Sequence, residues 1–206
     1  MSGEVRQPAQ AVTVVTGLPR SGTSMLMQML LAGGMPVLSD AVRAADVSNP
    51  RGYFEFEAVK GTRRDSRWVA DAAGKAVKVV HLLVPDLPAG YSYRVLAIRR
   101  NIAEVLASQE ALLHAQGRHG AELPPQRLGE ILLAQLEEAV RWVEQQPHFS
   151  ILHLNFHEVI AAPLAQARRM NEFLGGGLDE RKMAAAVEPS LYRQRHGRTA
   201  IGGHSE

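Results

Sequence analysis

No cysteine occurs among the 206 residues, which excludes disulfides, thiolate metal sites and cysteine nucleophiles and removes any need for an oxidising compartment. A reducing cytoplasm is the expected setting. No uninterrupted apolar run approaches the roughly 20 residues of a membrane span, and the opening MSGEVRQPAQ lacks the apolar core of an export signal. Neither sign of charge dominates: a net +2 is too small to imply a nucleic-acid or membrane surface. None of the 8 histidines falls in an H-E-x-x-H or other compact ligand spacing, so no metal site is expected. What is present is the balance of an ordinary globular protein, 46% apolar and 21% charged. The length fits one domain over 1–206, with residues 1–10 and about 198–206 expected as flexible tails.

Hydrophobic patterning alternates between strand and helix. Ala11–Thr16 (AVTVVT) reads as a strand, and Thr23–Ala32 (TSMLMQMLLA) as a helix stopped by Gly33-Gly34, with Met25, Met27 and Met29 as core. Pro36–Arg51 is rich in turn residues, and Tyr53–Ala73 carries two helical stretches separated around Gly61. Ala76–Leu83 and Tyr93–Ile98 are valine-rich without polar alternation, as expected of strands buried on both faces of a parallel sheet. Helices are predicted over Asn101–Gln116, Pro125–Gln146, Pro163–Leu174 and Asp179–Val187, a strand over Phe149–Leu154, and a loop over Arg118–Leu123. The fold expected is a three-layer α/β domain of P-loop type, its mostly parallel central sheet flanked by helices.

Between the first strand and first helix lies Gly17-Leu18-Pro19-Arg20-Ser21-Gly22-Thr23-Ser24. Backbone N–H groups and a helix N-terminus at such a turn hold phosphate oxygens. Set against G-x-x-x-x-G-K-[ST], both glycines and the final hydroxyl match, but Thr23 stands in the lysine position. A nucleoside triphosphatase uses that lysine on the β- and γ-phosphates, so its loss argues against γ-phosphoryl chemistry. The basic residue is instead Arg20, reaching a bridging or leaving oxygen while Thr23 and Ser24 donate to a terminal phosphate.

The segment Leu18–Ser24, LPRSGTS, resembles the 5′-phosphosulfate loop of the sulfotransferase family, Pro-Lys/Arg-Ser-Gly-Thr-Thr/Ser. Pro19, Arg20, Ser21, Gly22, Thr23 and Ser24 match that motif. A second family element, Arg-x-Pro-x-Asp/Glu-x-x-x-Ser after a strand, resembles Arg100–Ser108, with Ile102 in place of the proline. The resemblance implies that Arg100 and Ser108 contact the 3′-phosphate of the donor, 3′-phosphoadenosine 5′-phosphosulfate (PAPS). Arg195-His196-Gly197 is similar to the family's late Arg-Lys-Gly element, which implies a further contact from Arg195 and Gly197 to the same phosphate. The implied activity is metal-independent transfer of a sulfuryl group to a hydroxyl or amine of a small-molecule acceptor.

Such chemistry is mainly positioning and charge stabilisation, with a base for the acceptor's proton. Lys78-Val79-Val80-His81 is similar to a Lys-Thr-His segment whose histidine is the base in some members, with one extra residue here. In a regular strand Lys78 and His81, three apart, point to opposite faces. Asn49–Glu55, NPRGYFE, resembles Asn-Pro-x-Gly-Tyr-x-Glu of many bacterial members, which makes Glu55 the rival base, desolvated by Tyr53, Phe54 and Phe56. Lys78 and Arg20 would neutralise the leaving phosphate. Alternative readings are a P-loop small-molecule kinase, for which no Walker B aspartate follows a strand, and a nucleotide-binding module without catalysis.

Overall fold

The computed structural model describes residues 11–40, 52–118, 120 and 123–189. Asn49–Arg51, Arg195 and Gly197 lie outside them, as does each expected tail. Strands β1 (Val12–Gly17), β2 (Val37–Leu38), β3 (Ala76–Lys78), β4 (Tyr93–Arg99) and β5 (Phe149–Asn155) form one sheet in the order β2-β3-β1-β4-β5. Every pairing is parallel. Helices α1 (Thr23–Ala32), α2 (Ile102–Ala115), α3 (Pro125–Glu144), α4 (Phe156–Ala161), α5 (Pro163–Phe173) and α6 (Glu180–Ala185) complete it.

Alternation along the strands sends side chains into two cores. Val15, Leu96 and Ile98 pack with Leu26 and Met29 of α1, Met170 of α5 and Met183 of α6. Val12, Val14, Val77 and Val95 face the other way, against Trp68, Val84 and Val143. These are the three layers the valine runs imply. Burial on both faces is why β1 is apolar or threonine throughout and fully buried.

Four segments differ from expectation, the first being the two-residue strand β2, which lies within the turn-rich Pro36–Arg51. Tyr53–Ala73 yields two 3₁₀ turns, Glu57–Gly61 and Arg67–Ala72, rather than α-helices; polar residues and Gly61 interrupt the period before an α-helix nucleates. The expected strand Ala76–Leu83 ends at Lys78, and His81–Asp86, with Pro85 inside, is a 3₁₀ turn. Helix α4 was not expected; Asn155, the last residue of β5, accepts from His157 N and Glu158 N and starts it directly from the strand.

β1 is central. The chain leaves it for β2 and β3 on one side, then crosses to β4 and β5 on the other. That reversal opens a crevice at the carboxyl end of β1, where the Gly17–Ser24 loop lies.

Candidate functional site

The loop is shaped by close packing. Arg20 adopts φ 68° and Gly22 φ 109°, left-handed values that turn the chain from β1 into α1. A non-glycine residue held there is a strained conformation that surrounding contacts must fix. A Cβ on Gly17 would lie 2.6 Å from the Ile98 carbonyl oxygen, and one on Gly22 2.7 Å from Cδ2 of Phe156. The first clash is with the backbone of the neighbouring strand, which cannot yield without disturbing the ladder. Gly17→Ala should therefore lose about 1–3 kcal/mol in denaturant unfolding; an unchanged midpoint would mean that the loop is not so constrained. Gly22 caps α1, whose first turn carries no acidic residue and no side-chain cap. The helix thus presents its N-terminal N–H groups and positive dipole end to the crevice.

Two segments far apart in sequence meet at this loop. Arg20 Nε donates to Ser108 Oγ at 3.0 Å, and Arg100 Nη1 donates to the Arg20 carbonyl at 3.1 Å. Arg100 also lies over the Phe156 ring, 4.4 Å from its centroid, and its Nε donates to Glu104 Oε2 at 2.9 Å. Both members of that ion pair are buried, their side chains 8% and 3% exposed. Ser108 is buried; it accepts from Arg20 and keeps its own proton to donate. Asn101 caps α2 by accepting from Ala103 N, which sets the direction in which Glu104 and Ser108 leave the helix. Arg99, by contrast, is exposed and lies 3.7 Å from Glu137.

On the other side of the loop, Lys78 Nζ donates to Ser24 Oγ at 3.2 Å and to the Tyr53 carbonyl at 3.0 Å. Pro19, Arg20, Thr23, Lys78, Arg100 and Glu55 line one cleft of about 570 Å³, which also reaches Phe156, Ile160 and the carboxyl end of α2. Glu55 is half-buried on that wall. Met27 and Met29 are core, whereas Met25 also borders the cleft. Glu57 faces solvent, paired with Lys60 at 2.7 Å.

His81 is not brought to this cleft. Val77 and Val79 belong to the opposite core from α1, and His81 follows them to that face, while Lys78 faces α1. The imidazole is 2% exposed, with neither nitrogen hydrogen-bonded. Burial pushes its pKa below the usual histidine value; the Gly17 backbone and the Gln135 side chain lie close enough to oppose that shift, without reaching hydrogen-bond geometry. The neutral ring is thus the native form. As pH falls through about 6.5, the unfolded chain takes up a proton that the buried ring resists, so stability present above that pH is lost below it. His81→Gln should flatten the fall in unfolding free energy between about pH 7 and pH 5. An equal slope in both proteins would assign the loss to other groups.

Phe156, Glu104 and the Tyr53 carbonyl escaped the sequence reading. The spacing Arg100-x-x-x-Glu104, one helical turn, is the signal that announces the ion pair; nothing local marks Phe156, which reaches the loop only because β5 runs beside β4. Among the described residues no group of three or more His, Asp or Glu is placed to hold a metal ion, and no described helix is long and apolar enough to cross a membrane.

No family model matches the sequence, and no curated protein matches it significantly. Solved structures do resemble it. Mouse sulfotransferase SULT7A1 complexed with PAP superposes with a TM-score of 0.57 at 16% identity, over 91% of this chain and 68% of that one. The sulfotransferase domain of the Synechococcus PCC 7002 olefin synthase gives 0.55 at 12% identity, over 93% and 82%. Sulfotransferase STF1 from Mycobacterium tuberculosis H37Rv gives 0.53 at 17%, over 89% and 73%. The chain has the sulfotransferase fold.

Proposed function

We propose that this chain is a PAPS-dependent sulfotransferase. The observation that carries the reading is the junction of the two motifs: the 5′-phosphosulfate-like loop and the Arg100–Ser108 segment are joined by the Arg20–Ser108 and Arg100–Arg20 hydrogen bonds. Arg20 of the loop and Arg100, which the resemblance assigns to opposite ends of one bisphosphate nucleotide, line one crevice, with Ser108 buried behind Arg20. The likeness to a mouse sulfotransferase complexed with PAP supports the same donor.

The residues fit that donor. Close-packed Gly17 and Gly22 leave no side chain over the loop, and α1 begins without an acid or a cap that would compete with an anion. Pro19, Arg20, Ser21, Gly22, Thr23 and Ser24 would hold the 5′-phosphosulfate, and Arg100 and Ser108 the 3′-phosphate, joined by Arg195 and Gly197. The donor supplies an activated sulfuryl group. Glu55, on the cleft wall, accepts the proton of the acceptor's hydroxyl or amine. Lys78 and Arg20 hold positive charge where the phosphate is released. We place His81 outside the chemistry, since its ring is buried away from the cleft.

Calorimetric titration with 3′-phosphoadenosine 5′-phosphate (PAP), with ATP plus Mg²⁺ in parallel, tests this. Micromolar PAP binding, weakened about tenfold or more in Arg20→Ala, is the expected result. Binding of ATP with none of PAP would replace the sulfotransferase reading by that of a kinase.

A further inference from the structure

A second cleft of about 220 Å³ opens beside the first, and the two share Pro19, Thr23, Glu55 and Lys78. Beyond that common wall their linings part. The first continues to Arg20 and Arg100; the second continues to Leu18, Phe56, Val59, Val79, Val80 and Leu83. Among the described residues its one additional charge is Lys60, exposed and paired with Glu57 at 2.7 Å. At its mouth the apolar surface runs on outward: Val80 is 37% exposed, and Leu82, two residues further along the same turn, is 46% exposed.

We infer that this second cleft receives the acceptor, and that the acceptor is an alcohol or phenol on an uncharged apolar body the size of a two-ring aromatic alcohol. The inference rests on the sulfotransferase reading and narrows it. Glu55 and Lys78 stand at the boundary, so a hydroxyl placed at the inner end of the second cleft reaches both the base and the transferring group of the first. There the hydroxyl oxygen forms the new bond to sulfur, the bond from sulfur to the donor's phosphate oxygen breaks, and the hydroxyl proton passes to Glu55. The remaining wall selects. A sugar carries a hydroxyl on nearly every carbon, and each one buried against Val59, Val79 or Leu83 loses water without gaining a partner. A carboxylate on the body, buried against the same apolar side chains, loses its water at a far greater cost.

The test measures binding of 2-naphthol and of glucosamine to the PAP-saturated protein by saturation-transfer NMR, in wild type, Val80→Arg and Leu83→Trp. Val80 is exposed, so the first variant folds whether or not the second does. Binding of naphthol but not glucosamine is expected, weakened about tenfold or more in both variants, with PAP affinity within about twofold of wild type. Radiolabelled sulfate should then pass from PAPS to naphthol. PAP binding with naphthol unbound, or bound equally in all three proteins, overturns the acceptor class and leaves the donor reading standing. Failure of PAP to bind overturns both.

Discussion

Replacing Glu55 by glutamine should lower kcat by about 10²–10⁴-fold while leaving PAP affinity within about twofold. Glutamine keeps the size and shape of the side chain but cannot take a proton, so the loss falls on the proton-transfer step and spares the phosphate contacts, none of which Glu55 supplies. Because the residue is half-buried on a cleft wall, stability should change by no more than about 0.5 kcal/mol. Lys78→Met offers the contrast. It removes charge beside the loop and the hydrogen bonds to Ser24 and Tyr53, so kcat and PAP affinity should fall together. If Glu55→Gln turns over normally and His81→Gln does not, the base is His81, and the cleft must rearrange to expose a ring that is 2% exposed here.

The parts of this molecule legible in the sequence are those whose determinants are local. Val12–Gly17 and Tyr93–Arg99 are strands because an apolar β-branched run needs no knowledge of its neighbours. The loop Gly17–Ser24 is readable for the same reason: its glycines, arginine and hydroxyls are consecutive. Lys78 and His81 also obeyed a local rule, the two-residue period that sends them to opposite faces, and it separated them although the strand itself ends at Lys78. What sequence could not supply is register between distant segments. That Arg20 meets Ser108, or that Phe156 closes on Gly22, follows from β1 and β5 flanking β4, a pairing fixed by the whole sheet. The apolar second cleft was hidden likewise, since Leu18, Val59 and Val79 converge from three separate stretches of chain.

Arg100 is where binding and folding are hardest to separate. Arg100→Ala removes a cation from the proposed 3′-phosphate site and should weaken PAP binding by about tenfold to a hundredfold, the worth of one charged hydrogen bond. The same change strips the buried Glu104 carboxylate of the Arg100 guanidinium 2.9 Å away, while the half-exposed His157 stands at 3.1 Å. Breaking a buried pair from one side costs about 3–5 kcal/mol, enough to unfold a marginal domain and to mimic lost binding. Replacing both members, Arg100→Met with Glu104→Leu, removes charge and counter-charge together, and such exchanges are often neutral or stabilising. The double variant should thus recover an unfolding midpoint close to wild type and still bind PAP as poorly as the single one. Recovery of PAP affinity along with stability would show that Arg100 acts only by holding the Arg20 carbonyl and the loop in place, and that the 3′-phosphate is held elsewhere.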